Sequence, residues 1–213
     1  MPKRRSKGFA NPAQTWDTRF STDDYIFGTE PNVWLAQHQM LLAPGSQVLA
    51  VADGEGRNSV WLAQQGMQVD AFDISPVGVE KARKLADKSG VTVNFTICSC
   101  DDWDWQPERY DAVVAIFIQF ADPETRKRLF EQMVNSLKPG GLLFLQGYTP
   151  RQLEYKTGGP PLLDHLYTED LLREAFSSLE ILELNSYESV LREGTQHSGQ
   201  SAVIGFIGKK SPS

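Results

Sequence analysis

Two glycines, Gly54 and Gly56, stand one residue apart among acids in Asp53-Gly54-Glu55-Gly56, directly after the apolar run 47–52. A glycine turn at the end of a buried strand lets a ligand reach the backbone amides of the following helix, because no side chain blocks the approach. Asp73 ends a second apolar run 19 positions after Gly54, where a carboxylate can accept both hydroxyls of an adenosine ribose. The pairing points to a nucleoside-bearing cofactor. A dinucleotide would lay its pyrophosphate on the turn, but Asp53 and Glu55 flank it and Ser59 stands where the third dinucleotide glycine would fall. Those acids suit a cofactor with no phosphate and a positive centre, such as S-adenosylmethionine (SAM).

To bring Gly54 and Asp73 to one edge, the chain must run strand, helix, strand. The run 47–52 is rich in β-branched residues; Val60, Trp61 and Leu62 then fit one helix that Gly66 closes, and 68–73 alternates as the second strand. Ser75 and Pro76 cap a helix with Val79, Ala82 and Leu85 on one face, ending near Gly90. Further strands are expected at 91–97, 110–116 and 141–145. Between the last two, Asp122-Pro123 opens a helix carrying Leu129, Phe130, Met133, Val134 and Leu137, which Lys138-Pro139-Gly140-Gly141 ends. Alternation of this kind predicts an α/β, doubly wound, Rossmann-like and mostly parallel sheet.

The last third departs from it. A helix near 168–176 precedes two β-rich stretches, 179–190 and 201–209, joined by the turn-like Arg192-Glu193-Gly194-Thr195, so those two strands must be antiparallel neighbours. Near the start, 32–42 reads as a helix. The aromatic stretch with Trp16, Phe20, Tyr25 and Phe27 reads as a segment that packs over something. We expect one domain over 1–213, with a flexible basic tail at 1–14 and an aromatic cap at 15–45.

The chain has 213 residues, 21 Lys+Arg and 27 Asp+Glu, for a net charge of -6. That sign opposes the footprint of a nucleic-acid binder, so a nucleic-acid partner is not expected. Cys98 and Cys100 lie too close along one strand for an ordinary disulfide, and no His/Cys/carboxylate spacing predicts a metal site. No run approaches the roughly 20 apolar residues of a membrane span. The expectation is a cytoplasmic protein, monomer or homodimer, without a membrane partner.

The segment Val48-Leu49-Ala50-Val51-Ala52-Asp53-Gly54-Glu55-Gly56-Arg57-Asn58-Ser59 resembles the first motif of class I SAM-dependent methyltransferases. With Trp61-Leu62-Ala63 it is similar to the branch containing the tellurite-resistance methyltransferases and their small bacterial relatives. The resemblance implies a seven-stranded sheet with an antiparallel C-terminal hairpin in a three-layer αβα fold, and SAM as cofactor. It places Gly54, Gly56, Arg57, Asp73 and Ile74 at the cofactor. The loop Cys100-Asp101-Asp102-Trp103 should hold adenine, with either carboxylate on the exocyclic amine and Trp103 available to stack. Where the family usually has an acid and a glycine, this chain has Ala50 and Ala52, so Asp53, helped by carbonyls near Ala115 and Ile116, becomes the candidate for the methionine ammonium. Tyr25 and Phe27 would face the sulfonium, and Arg19 the SAM carboxylate.

Methyl transfer from a sulfonium is an in-line displacement that needs alignment and exclusion of water more than a strong base. Where the acceptor needs deprotonation, His165 after the fifth strand is the candidate base, with Tyr148, Tyr155 and Gln119 available to orient it. His38 and His197 show no partner in the sequence. The segment from Glu154 to Pro160 resembles one in small relatives of this branch, and its glycines, Gly158 and Gly159, allow a mobile lid. A small-molecule acceptor, such as a thiol or chalcogen oxyanion, is the expected partner; a non-catalytic SAM-binding protein and a nicotinamide-dependent oxidoreductase are the alternatives.

Overall fold

The computed structural model describes residues 11–212. Seven strands form one sheet in the order β3-β2-β1-β4-β5-β7-β6. β1 (Gln47–Val51), β2 (Gln68–Asp73), β3 (Asn94–Ile97), β4 (Tyr110–Ile116) and β5 (Leu137–Tyr148) run parallel, while β7 (His197–Lys210) is antiparallel to both β5 and β6 (Leu179–Glu193). The seven-stranded mixed sheet and its antiparallel C-terminal hairpin match the expectation.

The helices are α1 (Pro12–Phe20), α2 (Val33–Gln37), α3 (Arg57–Gln64), α4 (Pro76–Ser89), α5 (Pro123–Ser136), α6 (Gln152–Tyr155) and α7 (Glu169–Ala175). Alternation along β1 sends Val48 and Ala50 into one core with Trp34, Leu35 and Leu62. Leu49 and Val51 enter the other, against Leu129, Phe130 and Met133 of α5 and Leu172 of α7. β1 meets β2 on one side and β4 on the other, which makes its carboxyl end the switch point where ligands bind in such sheets.

Several boundaries differ from the sequence reading. α1 starts at Pro12, capped by the Asn11 side chain, inside the stretch expected as tail; the cluster Lys3, Arg4, Arg5 and Lys7 lies outside the described residues. The expected helix 32–42 splits into α2 and a 3-10 turn, Gln39–Leu41. Its break is at His38, whose ring Nδ1 takes the Trp34 carbonyl at 2.8 Å while its amide turns to Leu35. Leu137, read as helical from its spacing, instead pairs with Tyr110 at the start of β5.

The hairpin strands run to a turn of only three residues between Glu193 and His197. Gly194 in that turn has φ +68, and a Cβ there would stand 2.3 Å from the Ile26 carbonyl oxygen. Only glycine lets the turn press onto the N-terminal segment, where Ile26 accepts from the Thr195 and Gln196 amides.

Candidate active site

Gly56 takes φ +90 at the start of α3, and a Cβ would meet Ala82 of α4 at 2.6 Å. The glycine therefore lets α3 and α4 pack closely while turning the chain off β1. Gly54 donates its amide to Asp73 Oδ2 at 2.9 Å, and the Ser75 amide donates to Oδ1 at 2.8 Å. Each carboxylate oxygen holds one backbone bond and has acceptor capacity left for a ribose hydroxyl. Burial pushes the Asp73 carboxyl up to about 6, against those two bonds, with the charges of Asp53 and Asp17 adding to the rise.

The acids flanking the turn are committed elsewhere. Asp53 accepts from the Ser59 amide at 3.3 Å and from the Ser59 hydroxyl, tying the turn to the first residues of α3; burial pushes it up to about 6. Glu55 pairs with Lys81 at 2.5 Å, and the Phe27 amide donates to it at 3.4 Å. The charge of Glu55 is thus offset by Lys81, whereas Asp53, bonded only to the neutral Ser59, has no ion-pair partner among the described residues. Ala50, where the family usually has an acid, lies in the core. Ala52, where it usually has glycine, holds φ +48, a left-handed conformation that a Cβ makes costly.

The aromatic segment does close over this edge. Phe20, 2% exposed, reaches Gly54 and Gly78, and Asp17 of α1 accepts from the Ser75 hydroxyl at 2.5 Å. Lys81 fastens the segment through the carbonyls of Phe20, Thr22 and Asp24, and its Nζ lies 4.9 Å from the Tyr25 ring centre. Tyr25 therefore already carries a cation. Arg19 lies over Trp16 and donates to Gln196 at 3.1 Å.

In the loop after β3, Trp103 stacks on Phe72 at 4.8 Å, and its Nε1 is buried with no hydrogen-bond partner among the described residues. Asp101 and Asp102 are exposed; Arg128 lies 3.6 Å from the first and the Ser99 hydroxyl donates to the second. Burial raises the Cys100 thiol to about 12. Ile74 is half-buried after β2, while Ala115 and Ile116 end β4. Together, the glycine turn, the nearly buried Asp73 and the unpaired indole donor fit a nucleoside.

The residues considered for catalysis separate. Gln119 spends its side-chain amide on backbone, donating to the Tyr148 and His165 carbonyls and accepting from the Tyr148 amide. It fixes the chain after β4 to that after β5. His165 Nδ1 lies 3.0 Å from the Gln119 carbonyl, which can only accept, so Nδ1 carries a proton, and Nε2 lies 4.0 Å from the Asp164 carboxylate. Tyr155 donates to Glu188 on the hairpin's exposed side, which raises its phenol above the ordinary range. The Glu154–Pro160 segment is held by Thr157, which donates to the Gln200 carbonyl at 2.6 Å.

Arg57, expected at the cofactor, instead joins a polar network beneath the hairpin turn whose other members had no expected role. Arg57 pairs with Glu193 at 2.8 Å, both almost fully buried. Glu193 also accepts from the Asn32 side chain and the Val33 amide, and Asn32 donates on to Gln146 at 2.7 Å. Beside this network His197, 7% exposed, lies among Phe27, Phe117 and Tyr148, with ring centres at 4.6, 4.3 and 5.7 Å.

Burial, with the charges of Arg57 and Arg19, lowers His197 from 6.5 to about 3, so it is neutral near pH 7. The unfolded chain therefore binds a proton in that window that the folded chain does not, and this residue's contribution is lost as pH falls below 6.5. Asp53 and Asp73, raised from 3.8 to about 6, work in the opposite direction. Replacing His197 by Phe should then make the variant gain on the wild type by roughly 3 kcal/mol between pH 7 and pH 4. Urea unfolding across that range measures it, and parallel pH profiles would refute the buried neutral imidazole.

Residues 48–141 match the family model described as a methyltransferase domain. Over this span the chain is similar to methyltransferase domains. The matched span runs from β1 through the turn, Asp73 and the loop after β3 to the start of β5. A ubiquinone biosynthesis O-methyltransferase of Xanthomonas campestris is 36% identical over 103 residues, 48% of this chain and 43% of that protein. The tRNA 5-carboxymethoxyuridine methyltransferase of Escherichia coli is 28% identical over 57% of this chain and 48% of its own. This chain thus spans about half the length of these relatives. The expectation against a nucleic-acid partner gains no support from them, since one acts on tRNA.

Among solved structures, one described as converting a disulfide bond into a thioacetal group during echinomycin biosynthesis matches with a TM-score of 0.78 at 16% identity, covering 94% of this chain and 93% of its own. TehB from Haemophilus influenzae matches at 0.69 and 18%, covering 93% and 67%. Both share the fold of the methyltransferase domain. Among the described residues no helix is long and apolar enough to cross a membrane, and no group of three or more His, Cys, Asp or Glu is arranged for a metal.

Proposed function

We propose that the protein transfers the methyl group of SAM to a small-molecule acceptor bound over the carboxyl ends of β4 and β5. The observation that carries this reading is Asp73, nearly buried and bonded to the Gly54 amide at the switch point. SAM supplies an electrophilic methyl group on a positive sulfonium. Asp73 takes the ribose hydroxyls through its remaining acceptor capacity, and the 100–103 loop with Ile74 borders the adenine. Phe20 and the N-terminal segment keep water from the turn, which favours displacement over hydrolysis. Arg19 and Phe27 remain candidates for the methionine end.

His165, through Nε2, would serve as base for an acceptor that must lose a proton in the active site; a thiol, which ionises readily to thiolate, or a chalcogen oxyanion does not depend on one. Gln119 positions His165 through the Gln119 carbonyl and does not itself face the acceptor.

Calorimetric titration with SAM, S-adenosylhomocysteine and NADH tests the assignment. Binding of the two sulfur compounds with dissociation constants on the order of micromolar, about -8 kcal/mol, and none of NADH is expected. NADH binding without SAM binding would favour an oxidoreductase, and no binding of any would refute both.

A further inference from the structure

Burial normally pairs polar groups, yet three lie under the hairpin turn without a partner among the described residues: Arg57 Nη1, the Tyr148 hydroxyl and His197 Nδ1. Arg57 is 6% exposed, Tyr148 1% and His197 7%. Each has reason to be where it is. Glu193 fixes the guanidinium through Nη2 at 2.8 Å and leaves Nη1 to point elsewhere. Phe117 stacks on Tyr148 at 4.7 Å, and it does so from φ +56, a backbone conformation that a residue with a side chain adopts only under constraint. Such strain recurs where a fold holds a ligand. The three atoms come from the start of α3, the end of β5 and the start of β7, all at the carboxyl edge of the parallel strands.

Resting on the methyltransferase reading, we propose that Arg57, Tyr148 and His197 form the subsite that recognises a carboxylate on the acceptor. A guanidinium N–H and a phenolic O–H are donors, a carboxylate at Nδ1 would draw the imidazole proton there as a third, and one carboxylate has acceptor positions for all of them. The charge of Arg57 is already offset by Glu193, so a single negative charge suits the site better than two. The Tyr148 hydroxyl is closely packed, since a Cβ on Gly158 would lie 2.7 Å from it. The rings of Phe27 and Phe117 flank His197 and keep these atoms dry, which strengthens charge-assisted bonds.

The test compares 3-mercaptopropionate with its neutral analogue 3-mercaptopropanol, and with sulfate, by calorimetry on the full chain in the presence of S-adenosylhomocysteine. The carboxylate should bind at least 10-fold tighter than the alcohol and than sulfate. Tyr148→Phe, which removes only an unpaired hydroxyl, should weaken the carboxylate at least 10-fold while leaving the alcohol, the homocysteine compound and the melting temperature unaffected or the last slightly raised. His197→Phe should act in the same direction. Equal binding of the alcohol or of sulfate, or an unchanged carboxylate affinity in both variants, would overturn the proposal. A parallel loss of S-adenosylhomocysteine binding in Tyr148→Phe would overturn it too, by assigning the donors to the cofactor's own carboxylate. If no sulfur nucleoside binds the wild type while 3-mercaptopropionate binds through these residues, the methyltransferase reading fails and a carboxylate site without an acceptor role is left.

Discussion

Glu193→Ala is expected to lower the unfolding free energy by about 3–5 kcal/mol, the range for breaking one side of a buried ion pair. The carboxylate does three things at once. It pairs with Arg57 at 2.8 Å, accepts from the Asn32 side chain at 3.0 Å and accepts from the Val33 amide at 3.1 Å. Its removal leaves a guanidinium buried without a counter-charge and frees the start of α2 from the hairpin. Urea unfolding of the variant measures the loss. A second variant, Arg57→Ala in the Glu193→Ala background, should recover part of it, because the stranded charge is then gone. A loss below about 1 kcal/mol, the value for exposed pairs, would mean that water reaches the pair and that the network does not hold the N-terminal segment to the sheet.

Asp73→Ala should act on both folding and cofactor. In the folded chain it strands the Gly54 and Ser75 amides, at about 1–3 kcal/mol for each that finds no water. In the complex it removes the acceptor for the ribose hydroxyls, which should weaken SAM by another 1–3 kcal/mol, about 5- to 150-fold. Calorimetry with SAM on the folded fraction separates the two, and Asp73→Asn, which keeps one acceptor oxygen, should fall between. An unchanged SAM affinity in a folded Asp73→Ala protein would exclude Asp73 as the ribose ligand. The expected loss is larger than for any change at Asp53, whose oxygens serve Ser59 and whose removal should chiefly loosen the start of α3.

What the sequence determined by itself was local. The strand-turn-helix around Gly54 and Gly56, the Ser75 cap with Pro76, and the helix opened by Asp122-Pro123 follow from residue types within a few positions of one another, since caps and turns depend on neighbours in the chain. The continuous apolar run 47–52 likewise marked β1 as a buried strand, and the short link near Gly194 made β6 and β7 antiparallel. Even Gly54 with Asp73 was legible, because a βαβ unit fixes the two strand ends side by side at a separation of 19 residues.

The tertiary structure alone decided which polar residues are functional candidates. Glu55 and Tyr25 look free in sequence and are taken by Lys81; Gln119 looks like a substrate ligand and is spent on backbone. Glu193 and His197 look like ordinary residues flanking a turn, yet Asn32 and Glu193, 161 positions apart, share one buried network. The register of the hairpin against the N-terminal segment sets that meeting, and neither residue type nor spacing encodes it. Burial then gives the charges their meaning: it is the packing of Phe27, Phe117 and Tyr148 around His197 that keeps the imidazole neutral, and the closure of the turn over Arg57 that buries Nη1 without a partner among the described residues.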